Sequence, residues 1–532
     1  MTNSINTSDG TIKRRMPLGI QTFSVIRRRE NVYVDKTALV YALANDDARF
    51  NFLARPRRFG KSLLISTLRE YFEGNKDLFA GLEIEKLESE WVKHPVLHFD
   101  FNVGQYFEGI SALEGRLDTI LSGYEKIYGS DNAESAYGTR LEGLIRRAYE
   151  QTGQQVVVLI DEYDKPLLGK VEAKTDNIDM LMLLKSFYVV LKSSDAYIRF
   201  AILTGVSKFS KVSIFSDLNQ LRDISMLPKY AGICGIMQEE LEENFKPEIK
   251  LLAEYNKQTE EEALEKLRKH YNGYHFSEDL SVSVYNPFST INTFSSHMYR
   301  NYWYETGTPT FLVEELRERQ YDFGNFEKLI PLMPDDIDLY RIGQDVPIAL
   351  LYQTGYLTIK GVDDYGSLLL GFPNEEVKFG FIENLLAEVR YEANLASFNY
   401  HLFLYDLDSE DFDSFFTRLQ SFYAAIPYDL NNKQEKHYQT IFFLLFTLLG
   451  RNIESEVKNS RGRTDLVMKT KRAIFVFEFK LDGNGTADDA LQQIEEQGYT
   501  EQFKSDPRKV FKIGCVFDND KRIPGEWKVA EN

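Results

Sequence analysis

Four short runs in the first 235 residues are apolar almost without a break: "ARFNFLAR" (48–55), "PVLHFDFN" (95–102), "QVVVLIDEY" (155–163) and "YIRFAILTG" (197–205). Continuous apolar runs of this length, without period-two alternation, are what strands covered on both faces require. Amphipathic stretches of helical period separate them, beginning with "SLLISTLREYFEG" after the first run. This alternation predicts an α/β domain over 1–235, with a parallel sheet covered by helices. Residues 236–330 take a helical period, broken by the turn-rich "HYNGYHFSEDLSVSVYNPFS" (270–289). Residues 331–425 are mixed, with "LLYQTGYLTIK" (350–360) predicted as a strand. From 426 to 532 the pattern predicts a long apolar helix at "HYQTIFFLLFTLLG" (437–450), then strands, a helix at "ADDALQQIEEQGY" (487–499) and a last strand near "VFKIGCVF" (510–517).

Composition narrows the class. With 43% apolar and 14% aromatic residues over 532 positions, the chain can build several packed cores and is not a disordered one. No apolar run reaches 18 residues, so no membrane span is expected. Two cysteines, Cys234 and Cys515, make neither a disulfide framework nor a zinc cluster. The polar start, "MTNSINTSDGTIKRRMPLG", has no apolar core of an export signal, and a cytoplasmic location is expected. A net charge of −18 argues against coating by nucleic acid, yet leaves room for a local basic groove.

The first candidate chemistry lies at "FLARPRRFGKS" (52–62). A β-rich run ends at Ala54 or Arg55, and an amphipathic helix opens at Gly60-Lys61-Ser62. Strand, loop and helix N-terminus together aim backbone N–H groups at a phosphate. In that arrangement Lys61 reaches the β- and γ-phosphates of a nucleotide and the Ser62 hydroxyl coordinates Mg²⁺. The phosphate-loop pattern asks for glycine where Arg55 stands, and its loss removes backbone freedom at that corner. In "VVVLIDEYDKPLL" (156–168) a buried strand runs directly into Asp161 and Glu162. At the carboxyl edge of a sheet, where ligands bind, Asp161 is assigned to Mg²⁺ and Glu162 to the attacking water. A third run, "FAILTGVSKFSK" (200–211), presents Thr204 to the γ-phosphate, followed by Lys208 and Lys211 as charge partners; Thr-Gly after a strand is also ordinary turn chemistry.

With "PLGIQTFSVIRRRENVYVDKT" (17–37), "LTGVSKFSKVSIFSDLNQL", "YNGYHFS", "YWYETGTPTFL" and "LLYQTGYLTI", these stretches resemble the AAA-ATPase-like family of bacterial proteins. The resemblance covers nearly the whole chain. It implies a P-loop NTPase (AAA-like) parallel sheet with a helical lid region at 236–330, ATP and Mg²⁺ as cofactors, and Arg55 as a family trait. Arg57 and Arg58 then have two readings: charge supplied in cis to a bound nucleotide, or a solvated basic loop.

A second constellation lies in "RGRTDLVMKTKRAIFVFEFKL" (461–481). Strand alternation puts Phe475, Phe477 and Phe479 on one face and Glu478 and Lys480 on the other, with Asp465 on the preceding strand. An Asp followed by Glu-x-Lys on a paired strand is a metal-nuclease pattern, in which Asp465 and Glu478 bind Mg²⁺ and Lys480 activates a water. A cross-strand ion pair accounts for the same residues. Glu435 is a further candidate acid, and Gln492 and Gln493 follow on the next helix. The order resembles the PD-(D/E)XK nuclease superfamily domain that accompanies the AAA-ATPase-like domain, which implies a restriction-endonuclease-like α/β domain over 426–532 and a nucleic-acid partner, DNA first. The competing expectations are a nucleotide-gated scaffold with an inactive nuclease fold and a P-loop phosphotransferase acting on a small molecule. An oligomer is compatible with each.

Overall fold

A computed structural model describes residues 5–6, 12–104, 106, 109–167, 178–208, 218–305, 329–338, 348–392, 401–424, 445, 453–458, 463–470, 472–518, 520–521 and 523–532. At 5–6, 12–13, 305, 385–392, 401, 453–458 and 463–465 the backbone alone is described. The chain divides into two units, Met1–Lys378 and Phe379–Asn532.

In the first unit, β1 (Phe50–Ala54), β2 (Val96–Asp100), β3 (Val156–Asp161), β4 (Ile198–Gly205) and β5 (Arg222–Asp223) form one sheet. The order is β2-β3-β4-β1-β5 and every pairing is parallel. Strands β1 and β3 are buried at every residue, as uninterrupted apolar runs require. Strand β2 departs from that expectation and alternates buried with half-buried positions, because it closes the edge of the sheet. Helices α1 (Phe23–Arg28) and α2 (Thr37–Ala44) precede the sheet, and α3 (Lys61–Phe72) follows β1. Helices α4 (Ile110–Tyr128), α5 (Tyr137–Thr152) and α6 (Ile178–Tyr188) join the sheet core through Leu113, Leu117 and Leu121, Leu141, Leu144 and Ala148, and Leu184 and Phe187. Those spacings of three and four lay one apolar stripe along each helix.

Helices α7 (Gln238–Asn244), α8 (Lys246–Asn256), α9 (Glu260–Tyr271) and α10 (Pro287–Ser296) gather around Phe245, Leu252, Leu267 and Phe294. The start of α9 is set by Thr259, which accepts the Glu262 N–H at 3.1 Å, with three glutamates in the first turn against the helix dipole. Strands β6 (Ile330–Leu332), β7 (Thr358–Val362) and β8 (Leu368–Gly371) make a small antiparallel sheet in the order β6-β8-β7. Of the strand expected over 350–360, only Thr358–Lys360 forms. The start of that run lies in helix α11 (Ile348–Thr354), ended by Gly355 at φ +94°, and the strand begins at Thr358. The short apolar run fits a buried helix as well as a strand, and the glycine stops the helix through a left-handed conformation.

The second unit holds α12 (His401–Asp408), α13 (Phe412–Ala424) and a five-stranded sheet of β9 (Ile453–Lys458), β10 (Arg463–Lys469), β11 (Ala473–Leu481), β12 (Lys509–Asp518) and β13 (Ile523–Glu531) in sequential order. Only β11 and β12 run parallel, and the connection between them carries α14 (Ala487–Glu496). Phe475, Phe477 and Phe479 point to the face where Phe511, Phe415 and Phe517 meet them. On the opposite face Val467 and Val476 pack with Ile494 of α14. The period-two alternation of β11 thus separates an aromatic layer from a helix-covered polar edge. Strand β13 extends the sheet beyond the last strand expected from the sequence, since its apolar positions are too sparse to read as one. Glu435 and the helix expected over 437–450 lie outside the described residues, apart from Leu445, which is buried. Among the described residues no helix is long and apolar enough to cross a membrane.

Candidate functional site

The loop between β1 and α3 turns through two left-handed residues, Arg58 at φ +67° and Gly60 at φ +97°. A Cβ on Gly60 would touch nothing within 4 Å, so the glycine serves backbone conformation rather than space. Gly60 caps α3 with no side-chain hydrogen bond, which leaves first-turn N–H groups of a 12-residue helix for a ligand. Arg55 is not among the left-handed residues, so this corner functions without the glycine of the usual pattern. Its side chain has a structural task instead. The guanidinium is 1% exposed, donates to the carbonyls of Ala54 at 2.9 Å, Ser225 at 2.7 Å and Tyr230 at 3.2 Å, and lies 4.1 Å from the centre of the Phe276 ring.

Lys61 is buried and donates to the carbonyls of Arg55 at 3.0 Å and Pro56 at 3.2 Å. Its ammonium also stands 3.3 Å from Glu162 Oε1. Glu162 directly follows β3 and adopts φ +56°, a conformation that costs an L residue about 1–2 kcal/mol. Burial pushes its carboxyl up, but Lys61, Arg57 and Lys165 outweigh that and hold it below its ordinary value. Asp161 behaves oppositely: burial pushes it up, against hydrogen bonds from Ser62 and Thr204 that favour the charged form. Thr204 Oγ1 donates to Asp161 Oδ1 at 2.6 Å, so this hydroxyl supports the acid from the neighbouring strand. Lys208 pairs with Asp223 at 3.0 Å, and Lys211 lies outside the described residues.

Asp164, which the sequence reading passed over, anchors the loop after β4. Its Oδ2 accepts the N–H groups of Val206 at 3.0 Å and Ser207 at 2.7 Å, and the Ser207 hydroxyl at 2.8 Å. Tyr163 adds a bond from its hydroxyl to the Ser207 carbonyl at 2.8 Å. The signal was a third acid in "DEYD" too close to the strand for a solvated turn.

These elements surround a cavity of about 460 Å³, within the range of small-molecule sites. Its polar lining includes Arg57, Gly60, Lys61, Ser62, Glu162 and Lys165, with Lys61, Arg57 and Lys165 acting on Glu162. Its apolar lining includes Ile26, Ile291 and a group of Val32, Val34, Ile236 and Phe245 that packs in one core cluster. Arg58 also lines it, with its guanidinium 5.1 Å from the centre of the Phe288 ring. A lining that is both cationic and apolar suits a ligand with a triphosphate and an aromatic base. The donor set fits Mg²⁺ as well, since that ion takes one or two protein oxygens plus phosphates rather than a full protein cage. The Ser62 hydroxyl and the Asp161 carboxylate are already hydrogen-bonded neighbours.

In the second unit, Glu478 is 2% exposed on β11. Lys480 Nζ lies 3.4 Å from Glu478 Oε1 and donates to Gln493 Oε1 at 2.6 Å, while Gln493 Nε2 donates to Glu478. Gln493 of α14 is therefore part of this cluster, whereas Gln492 bonds Glu496. Gly514, paired with Glu478, lets the helix come close, because a Cβ there would sit 2.4 Å from the Ala487 carbonyl oxygen. Strands β10 and β11 pair up to Leu466 opposite Phe477, and Asp465 and Glu478 are the next residues of each strand. The Asp465 side chain lies outside those described. Among the described residues no group of three or more His, Cys, Asp or Glu forms a metal cage.

Residues 17–215 match the family model of a predicted AAA-ATPase, and residues 433–527 match that of the PD-(D/E)XK nuclease superfamily. Over 523 residues, 96% of this chain and 98% of the other, the sequence is 37% identical to a protein of Azotobacter chroococcum mcd 1 described as an uncharacterized protein in the vnfD 5' region. The first match holds Lys61, Ser62, Asp161 and Glu162 and the second holds Glu478 and Lys480, so the chain belongs to the predicted AAA-ATPase family and carries a C-terminal domain of the PD-(D/E)XK nuclease superfamily.

Proposed function

We propose that the protein binds ATP with Mg²⁺ at the carboxyl edge of its parallel sheet, hydrolyses it, and uses the nucleotide to govern a nuclease-like domain that acts on nucleic acid, DNA first. The observation that carries this reading is the convergence of the Gly60-capped helix, Lys61 and Ser62 with Glu162 in the lining of one cavity, with Asp161 hydrogen-bonded to Ser62. Lys61 meets the β- and γ-phosphates, and Ser62 with Asp161 holds the metal ion. Glu162, kept ionised by its cationic neighbours, accepts a proton from the attacking water. Arg57 and Arg58 add charge to the lining of the cavity. The bound metal ion supplies charge stabilisation to the transferring phosphoryl group. In the second domain, Asp465 and Glu478 are the proposed metal ligands and Lys480 the residue that positions a water, with Gln493 holding both Glu478 and Lys480 in place.

The domain division that accompanies this reading is 1–235 for the ATPase domain, 236–330 for the lid, 331–425 for a connecting region and 426–532 for the nuclease-like domain, in a cytoplasmic protein. A Mg²⁺-dependent cleavage assay on several DNA and RNA forms, with and without ATP, tests it. Cleavage that depends on both supports the proposal; ATP hydrolysis with no cleavage of any form favours a nucleotide-gated scaffold. One observation supports that second reading: the Glu478–Gln493–Lys480 cluster is also what a structural ion pair looks like.

A further inference from the structure

We infer that Trp303 and Gln353 are positioning residues through which the cavity distinguishes a nucleoside triphosphate from a diphosphate. This rests on the reading of the cavity as a nucleotide site. Both residues lie beyond residue 215, where the ATPase match ends.

Two loops contribute to the cavity wall, the one that leads into α3 through Arg57 and the one that follows β4 through Val206. Each is bonded to a side chain from the later part of the same unit. The Trp303 indole N–H donates to the Arg57 carbonyl at 3.0 Å. Behind it, the Trp303 backbone N–H donates to Glu376 Oε1 at 2.8 Å, and that buried carboxylate also receives the Ser289 hydroxyl at 2.8 Å. The Trp303 main chain is thus held by a buried carboxylate. Gln353 Oε1 accepts the Lys208 N–H at 2.7 Å, and its Nε2 donates to the Ile337 carbonyl at 2.6 Å. One amide face meets a donor and the other an acceptor, so its orientation is fixed by its partners.

The segment that follows Gln353 packs on Trp303. The Trp303 and Tyr356 rings lie 5.3 Å apart, and Trp303, Thr354 and Tyr356 all line the cavity. Between them Gly355 presses against the phosphate loop: a Cβ there would sit 2.7 Å from Pro56 Cβ. Movement of either loop therefore has to be met by this one packed element.

A diphosphate engages Lys61 and the first-turn N–H groups of α3, which neither anchor touches. A third phosphate reaches the space between the two loops and draws on the geometry of both. Loss of an anchor then weakens triphosphate binding selectively, whereas a merely structural role weakens both nucleotides alike.

The test uses the full chain, with Mg²⁺-ADP and a Mg²⁺-loaded non-hydrolysable ATP analogue titrated calorimetrically into wild type, Trp303→Phe and Gln353→Met. The preference of wild type for the triphosphate should fall about two- to tenfold in each variant, the value of one hydrogen bond, with ADP affinity unchanged. With Trp91 and Trp527 replaced by phenylalanine, emission from Trp303 should respond to the analogue more than to ADP. Parallel losses of both affinities, an unaltered preference in both variants, or a wild type that binds the two alike would overturn the inference while leaving the nucleotide site standing. A wild type that binds neither nucleotide overturns both readings. Trp303→Phe keeps an aromatic ring in the cavity wall, so the test does not hang on the fold of the Gln353 variant.

Discussion

Lys61 Nζ and Glu162 Oε1 stand 3.3 Å apart, so the side chain assigned to the phosphates and the acid assigned to the attacking water are partners of one another. Lys61 is held on its other side by the Arg55 and Pro56 carbonyls. On the proposed reading, a phosphate that takes up Lys61 would loosen its hold on Glu162 and so tie binding to the readiness of the base.

Replacing Lys61 with methionine should abolish ATP binding in a calorimetric titration, because it removes the cation assigned to the β- and γ-phosphates. The same change leaves Glu162 buried with Arg57 and Lys165 as its remaining cationic neighbours. Breaking a buried pair costs about 3–5 kcal/mol when nothing compensates, so denaturant melts should show a smaller loss than that. Unchanged nucleotide affinity would remove the phosphate-loop assignment.

Glu162→Gln should retain ATP and slow its hydrolysis by about 10²–10⁴-fold, the contribution of a general base. Steady-state phosphate release, measured beside a binding isotherm, separates the two effects. A variant that hydrolyses at the wild-type rate assigns the water to another group.

Asp161 sets a pH dependence. Burial raises its folded pKa above the ordinary carboxylate value. A raised pKa stabilises the fold below the ordinary value, and that contribution is lost as pH rises through the folded one. Asp161→Asn should therefore melt higher than wild type at neutral pH without Mg²⁺, and the difference should shrink in acid. Mg²⁺-nucleotide affinity of wild type should fall as pH drops through the raised pKa, and the variant should lack that step. A pH-independent affinity in wild type would remove Asp161 from the metal site.

Gly205 ends β4 against Tyr163 and Asp164, and a Cβ there would stand 2.5 Å from the Tyr163 ring and 2.7 Å from Asp164 Oδ1. Gly205→Ala should lower stability by about 1–3 kcal/mol, as overpacking a core does. It should also slow ATP turnover, since it pushes on the turn that carries Glu162. Chemical denaturation and phosphate release on the same sample check both.

For the second domain, thermal melts of Asp465→Ala and Glu478→Ala with and without Mg²⁺ decide between a metal site and an ion pair. If Mg²⁺ stabilises wild type and neither variant responds, the two acids share the ion. If wild type ignores Mg²⁺ and Glu478→Ala melts early, Glu478 is the structural partner of Gln493 and Lys480.

Local periodicity made much of this protein legible. The uninterrupted run into Asp161 and the Gly60-Lys61-Ser62 turn at the head of an amphipathic stretch were enough to order strand, loop and helix. Alternate phenylalanines at 475, 477 and 479 were enough to place Glu478 and Lys480 on the other face of their strand. Such signals survive in one dimension because helices and strands repeat over a few residues. Where two structures share the same short apolar pattern, as at 350–360, the sequence left the choice open, and Gly355 with Pro56 packed against it decided for a helix before the strand.

Tertiary structure alone decided who meets whom. Arg55 finds its acceptors in Ser225 and Tyr230, 170 and 175 positions away, and Trp303 reaches Arg57 across 246. Thr204 turns to Asp161, Asp164 clamps the next loop, and Gln493 joins the Glu478 cluster by the packing of one helix on a sheet. A buried donor must have an acceptor, but its own sequence neighbourhood does not say which distant segment will supply it. That pairing follows only when the whole core has closed.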